Sequence, residues 1–119
     1  FLNNLDSEFD FNRPKKCPSK IDTTFVLDSK EEFAASLFNP KNKLKMTVNT
    51  NQPGVHIYVG GNCSNEIKGK ENCDYHSLSG ICFETQNFPD APNHEHFPNS
   101  VLKKEDLYNH KTIYKFESL

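Results

Sequence analysis

The stretch KLKMTVNT, residues 43–50, alternates apolar and polar side chains along most of its length. Leucine, methionine and valine occupy every second position, separated by lysine, threonine and asparagine. This period of two is typical of a β-strand that buries one face. The residues just before it, 39–42, read NPKN and indicate a turn. Residues 33–38 and 43–50 are therefore predicted to form a hairpin.

Four further stretches favour strands, because each is short, rich in β-branched or aromatic residues and bounded by turn-forming residues. They are residues 23–27, 55–59, 80–86 and 111–117. Fourteen Asn, seven Pro and five Gly punctuate the chain, which favours turns between strands over long helices. The sequence thus predicts an all-β fold. One competing signal is the spacing of Ser29 and Glu32, which matches a helix capping box.

The composition limits the functions that the chain can have. Its 119 residues suit one domain, 1–119. The mean hydropathy is −0.76, and no apolar run approaches the ~20 residues of a membrane-spanning helix. Fourteen basic and 16 acidic residues give a net charge of −2, and Arg13 is the only arginine. We expect neither a membrane nor a nucleic acid as partner.

The apolar content suggests that the chain does not cover its own core. Hydrophobic side chains make up 34% of the residues, which is low for a self-sufficient domain. Ten Phe and four Tyr partly compensate, since each aromatic side chain buries a large area. We expect an ordered chain that borrows part of its order from a partner.

Four cysteines, at positions 17, 63, 73 and 82, do not by their spacing decide between thiols and disulfides. They contain no CxxC pair, so a structural zinc site is not expected. Cys63 and Cys73 bracket a predicted loop that a bridge could close. Residues 62–64 form an N-x-S sequon, which has meaning only in a secreted chain.

The 80–86 strand carries the first candidate for chemistry. Strand alternation places Ile81, Phe83 and Thr85 on one face, and Glu84 on the other with its neighbours at 82 and 86. Partial burial among neutral residues would strengthen Glu84 as a base. The alternative is an ordinary acid on the solvated face of an edge strand.

Other polar residues are weaker candidates. His56 and Tyr58 share one face of the 55–59 strand, where they could line a sugar site or simply face solvent. His94 and His96 could bind a metal, but no third ligand is evident, so no metal site is expected. Asp22, at the entry to a strand, is unremarkable by itself.

Taken together, the segments from residue 51 to residue 116 resemble the C-terminal part of aldose 1-epimerases, the galactose mutarotase family. The stretches that carry the resemblance are NQPGVHIY (51–58), KGK (68–70), SGICFETQNFPDAPN (79–93), FP (97–98), VL (101–102) and YNHKT (108–112). The run Glu-Thr-Gln-x-x-Pro-Asp-Ala-x-Asn, residues 84–93, is the most specific of them. Upstream, FDFNRP (9–14) resembles the stretch before the substrate-binding Asp of the family, here Asp22.

The resemblance implies a large antiparallel β-sandwich of the galactose mutarotase type, of which this chain would be only the C-terminal part. It implies an aldohexose substrate such as glucose or galactose and no cofactor. Glu84 would be the catalytic general base, and Asp22 and His56 would bind the substrate. The family also implies the cytoplasm, with secretion as the alternative.

Departures from the family pattern refine this expectation. The general-acid histidine and a second substrate-binding histidine of the family lie in its N-terminal portion, to which nothing in this chain corresponds. The family's Gly-Tyr-Asp-His run is KIDT (20–23) here, its Gln after Pro-Gly-Val is His56, and a further His is Leu78. We therefore expect a complementary N-terminal segment or chain of the same fold, without which the 119 residues are inactive. The alternative is a non-catalytic carbohydrate-binding or structural homologue.

Overall fold

The computed structural model describes residues 8–28, 33–60 and 67–119. These residues form six strands and two short 3-10 turns, with no α-helix among them. The strands are β1 (Ile21–Val26), β2 (Ala35–Asn39), β3 (Leu44–Thr50), β4 (Gly54–Val59), β5 (Ile81–Gln86) and β6 (Thr112–Ser118), and the turns are Lys70–Asn72 and Ala91–Asn93. The predicted all-β class is confirmed.

The strands are arranged in two three-stranded sheets, with the orders β1-β4-β5 and β2-β3-β6. The predicted hairpin is β2 with β3, paired antiparallel from Ala35 opposite Val48 to Asn39 opposite Leu44. Its turn is stabilised by asparagine: the Leu44 amide donates to the Asn42 side chain at 3.1 Å. The other four predicted strands agree with the structure to within two residues at each end. The predicted capping box, Ser29 with Glu32, lies outside the described residues.

By its internal contacts the chain divides into two units. Unit 1 comprises residues 1–22 and 58–81, and unit 2 comprises residues 23–57 and 82–119. In unit 1, Gly60 has a φ of +87° and its amide donates to the Ser77 carbonyl at 3.1 Å. A Cβ at Gly60 would lie 2.6 Å from the Ser19 carbonyl oxygen, so only glycine fits this bend.

The core of unit 2 is small. Val48 is fully buried, Val55 is 2% exposed, and Phe88 and Ala91 are nearly buried. Gly54 allows the Phe88 ring to approach, because a Cβ at that position would lie 3.1 Å from it. The small number of buried side chains agrees with the low apolar content of the sequence.

The two faces of the β2-β3-β6 sheet differ in character. The register places Val48 opposite Tyr114 and Met46 opposite Phe116, and residues paired in this way share a face. On that face the Tyr114 hydroxyl donates to the Phe83 carbonyl of β5 at 2.8 Å, which identifies it as the inner face. The outer face is more polar and includes the Lys115–Glu117 ion pair at 2.8 Å.

Part of the inner face has no cover. Near β5 it is closed, because Val48 is fully buried. Towards the other end of the sheet, Leu44 is 40% exposed and Phe116 is 60% exposed. The inner face therefore extends beyond the described residues that pack on it.

Three cysteines of the described residues, at positions 17, 73 and 82, are free thiols. Burial raises the pKa of the Cys17 thiol. Because Cys73 is a free thiol, it does not form the bridge that could have closed the predicted loop. Cys63 and the sequon at 62–64 lie outside the described residues.

Candidate functional site

Strand β5 alternates as predicted between a buried and an exposed face. Thr85 is 9% exposed, whereas its neighbours Cys82 and Glu84 on the other face are exposed. The sequence prediction that these residues face opposite ways is confirmed. We call the side that carries Glu84 the open face of β5.

Of the two settings that the sequence left open for Glu84, partial burial and the solvated face of an edge strand, the structure shows the second. Its side chain is exposed, and no described residue forms a hydrogen bond or ion pair with its carboxylate. The physical reason is that none of the residues packed beside β5 covers this side of the strand.

Thr85, one residue further on, belongs to a polar cluster. Its hydroxyl hydrogen-bonds the His110 Nε2 at 3.0 Å and the Thr112 hydroxyl. His110 in turn contacts the Tyr108 hydroxyl through Nδ1 at 3.1 Å. This cluster joins β5 to the start of β6 and holds the strand that carries Glu84 in place.

The turn between β3 and β4 supports the same region. The Asn51 amide donates to the Lys111 carbonyl at 3.2 Å, and the Lys111 amide donates to the Asn51 Oδ1 at 2.9 Å. The Asn51 Nδ2 donates to the Asn109 carbonyl at 3.0 Å. Asn51 therefore acts as a backbone clamp, which accounts for an asparagine at the start of the NQPGVHIY stretch.

His56 lies on β4 and contacts its neighbour strand β1. Its Nδ1 is 2.8 Å from the Thr24 hydroxyl, and both side chains are half-buried. The sequence did not indicate that Thr24 contacts His56, because threonine is common in strands.

His56 and Glu84 lie on adjacent strands of the β1-β4-β5 sheet. His56 follows Val55, which is 2% exposed, and Glu84 precedes Thr85, which is 9% exposed. Thr24, on the third strand of this sheet, contacts His56 through its hydroxyl.

Asp22 belongs to unit 1, where it is the second residue of β1 and is exposed. It follows Ile21, which is 2% exposed. Its position at the start of the strand agrees with the sequence prediction, and its substrate-binding role stays a prediction.

The two histidines of the 94–96 segment pack around a phenylalanine. The rings of His94 and His96 lie 4.8 and 4.5 Å from the ring of Phe97, centroid to centroid. The His94 Nε2 is 3.1 Å from the Asp90 carboxylate. No group of three or more metal-ligating side chains is placed together anywhere in the described residues.

A cavity of about 870 Å³ lies in unit 2. Its lining includes neither Glu84 nor His56, and sequence reasoning did not anticipate it. The lining residues are Val26, Leu27, Asp28, Phe33, Ala34, Asn49, Thr50, Asn51, Gln52, Pro53, Asn87 and Pro98.

Comparison with known proteins connects this arrangement to a family. The sequence model of the family described as aldose 1-epimerase matches residues 1–115 of the chain. The chain belongs to the aldose 1-epimerase family. The sequence-based recognition of the family and the sandwich-type all-β class are thereby confirmed.

Several similar relatives are proteins named galactose mutarotase. The chain is 39% identical to that of Bos taurus and 40% identical to that of Mus musculus, in each case over 98 residues, or 81% of this chain. It is also 30% identical over 88 residues to the bifunctional protein gal10 of Schizosaccharomyces pombe, covering 71% of this chain and 11% of that one. The chain spans 29% of the length of the two mutarotases.

The finding on membrane spans agrees with the composition. Among residues 8–28, 33–60 and 67–119, no helix combines the length and the hydrophobicity that crossing a bilayer requires.

Proposed function

We propose that this chain forms part of an aldose 1-epimerase that interconverts the α and β anomers of a hexose such as galactose or glucose, with Glu84 as the general base. The observation that carries the proposal is the setting of Glu84. It is an exposed carboxylate on the open face of β5, at the start of the most specific stretch of the chain. The strand beneath it is fixed from the other side by the Thr85 cluster.

The reaction requires one base and one acid. The Glu84 carboxylate takes the proton of the anomeric hydroxyl, and the electron pair of that oxygen forms the carbonyl at C1. The bond from C1 to the ring oxygen breaks, and an acid protonates the ring oxygen. After rotation about the C1–C2 bond, the steps reverse on the other face of C1. Paired proton transfers avoid the build-up of free charge on the sugar.

Asp22 and His56 bind the sugar hydroxyls in this proposal. A carboxylate accepts hydrogen bonds from hydroxyls, and an imidazole donates or accepts one at each ring nitrogen. A buried carboxylate left without a matching hydroxyl is costly, so such groups discriminate between polyols.

The acid comes from a complementary N-terminal segment or chain of the same fold, completing one sandwich with residues 1–119. The uncovered part of the inner face supports this, because Leu44 and Phe116 are apolar and 40% and 60% exposed. Adjoining apolar side chains left in water favour association with another surface. The 29% of the relatives' length that the chain spans also fits a partial fold.

Polarimetry of freshly dissolved α-D-galactose tests the proposal. The purified 119-residue chain is expected to leave the spontaneous rate unchanged. Coexpression with the complementary segment is expected to restore catalysis. Leu44→Asp and Phe116→Asp, on the inner face, are expected to reduce the amount of complex that is recovered. Phe38→Asp, on the outer face, is the control. Enzyme-level mutarotation by the chain alone, or none by the completed protein, would overturn it.

A non-catalytic carbohydrate-binding or structural homologue is the second candidate, favoured by the altered neighbourhood of Asp22, KIDT (20–23), and by an imidazole at position 56. Calorimetry with galactose and glucose separates the two when it is paired with polarimetry of the completed protein. Sugar binding without any turnover that depends on Glu84 supports this candidate. Turnover abolished by Glu84→Gln supports the enzyme.

We place the protein in the cytoplasm, with secretion as the alternative. The free thiols of Cys17, Cys73 and Cys82 are all exposed, and exposed thiols are stable in a reducing compartment. Intact mass with and without reductant tests this: no change is expected, and a shift of two hydrogens for each bridge would favour secretion.

A further inference from the structure

The hydrogen bond between Thr24 and His56 joins two neighbouring strands that are far apart in the sequence. Thr24 lies on β1 and His56 on the adjacent β4, 32 positions along the chain. The hydroxyl oxygen and the Nδ1 nitrogen are 2.8 Å apart, and both side chains are half-buried.

Threonine is well suited to hold a ring at a fixed position. Its branched Cβ restricts the first side-chain torsion in a strand, and the hydrogen-bonded sheet fixes its backbone. The Thr24 hydroxyl therefore occupies a nearly constant point above the sheet. A bond from this point to Nδ1 fixes the rotation of the His56 ring as well as its location.

The bond to Thr24 is compatible with either tautomer of the His56 imidazole. The role of one nitrogen is set by the hydrogen bond that the other makes. A hydroxyl can both donate and accept, so Thr24 pairs with Nδ1 whether that nitrogen carries the proton or not. The ring can thus keep its place in either tautomer.

We propose that Thr24 is the positioning residue of His56, which contacts the sugar. This inference rests on the proposed function, because it concerns how the site holds a hexose. His56 stands where the family pattern has a Gln, whose amide has one donor end and one acceptor end. An imidazole can exchange its tautomer and so can either donate to a sugar hydroxyl or accept from it. A site of this kind tolerates both anomers, as a reversible epimerase requires.

Two substitutions separate the hydroxyl from the packing of Thr24. Thr24→Val keeps the shape and removes the hydroxyl, whereas Thr24→Ser keeps the hydroxyl. Thr23→Val, at the neighbouring position on the opposite face of β1, is the matched control. Thermal melting of each variant first establishes that it folds.

Two measurements on the completed protein decide the outcome. The ¹⁵N resonance of the His56 Nδ1 is expected to move in Thr24→Val and to stay in Thr24→Ser and Thr23→Val. In polarimetry with galactose, Thr24→Val is expected to raise KM about two- to tenfold and to leave kcat within about twofold. Thr24→Ser is expected to match the wild type.

Three results would overturn the inference: an unmoved Nδ1 resonance in Thr24→Val, an unchanged KM in that variant, or equal damage from Thr24→Ser. Failure of the proposed function looks different, since the wild-type completed protein would then neither bind nor convert galactose. In that case the Nδ1 resonance alone decides whether Thr24 holds the ring.

Discussion

Glu84 and Thr85 are adjacent in β5, yet their surroundings are opposite. Thr85 is 9% exposed and hydrogen-bonds both His110 and Thr112. Glu84 is exposed, and no described residue binds its carboxylate. The described residues cover the inner side of the strand and leave its open face uncovered.

Because of this difference, we expect Thr85 to contribute to the stability of the region and Glu84 to contribute to its proposed activity. Buried polar groups need partners, and the inner face supplies them through neighbouring strands. A carboxylate that the fold leaves without a partner does not stabilise the fold, so its chemistry is available for a ligand. Substitutions on the two faces should therefore have different consequences.

The largest expected effect follows from Glu84→Gln. The amide has the same shape but cannot accept the anomeric proton, so kcat of the completed protein should fall by about 10²–10⁴-fold. Polarimetry measures this, with Glu105→Gln, an exposed acid elsewhere, as control. The melting temperature should not change, because the carboxylate has no described partner to lose. Activity within tenfold of wild type would contradict the assignment.

A smaller effect is expected from Val48→Ala in the core of unit 2. Val48 is fully buried, and the cavity left by its two methyl groups should lower the free energy of unfolding by about 2 kcal/mol. Ile113→Ala is the control, because Ile113 points to the outer face and is 46% exposed. Urea unfolding compares them. An equal or greater loss in the control would mean that the two faces of this sheet are wrongly assigned.

Thr85→Val tests the polar cluster on the inner face. His110 and Thr112 keep their mutual contact at 3.2 Å, so the loss in unfolding free energy should be only about 0.5–1.5 kcal/mol. Turnover for each folded molecule should stay near the wild-type value, the reverse of the result for Glu84→Gln. Thr47→Val, on the outer face, should change stability by less than about 0.5 kcal/mol. Loss of turnover without loss of stability would contradict the separation of the two faces.

The smallest effect concerns the exposed outer face. Lys115, through a hydrogen bond and its charge, lowers the pKa of the Glu117 carboxyl below its ordinary value. A carboxyl with a lowered folded-state pKa stabilises the fold above its unfolded pKa, and this is lost as the pH falls through the folded pKa. Lys115→Met should raise the Glu117 pKa in an NMR titration.

The matched control for that titration is Lys45→Met. Lys45 lies opposite Glu117 in the sheet and lowers its pKa by charge alone, as the smallest contribution. Its removal should have the lesser effect. A larger shift in Lys45→Met than in Lys115→Met would contradict the geometry of this face.

The strands were predicted well from the sequence because apolar and polar side chains alternate along them. Residues 43–50 show a period of two, and β3 begins one residue later, at Leu44. The two sides of β5 were predicted for the same reason. Turn residues such as Asn42 set the ends of the strands, and these are local features that one sequence contains.

The environment of the site was harder to predict. The sequence left open whether Glu84 is partly buried or solvated, because burial depends on what packs above the strand. Thr24 and His110 were missed as partners, because each bond joins distant positions, 32 residues apart for Thr24 and His56 and 25 for Thr85 and His110. Spacing along one chain carries no signal for such contacts.

A crystal structure of the completed protein with galactose tests the central claim most directly. The distance to measure joins the Glu84 carboxylate to the anomeric oxygen of the sugar. The proposal predicts about 2.6–3.2 Å, the reach of a general base, with galactose on the open face of β5. Galactose bound in the cavity beside Phe33 and Gln52, with Glu84 still in water, would contradict it.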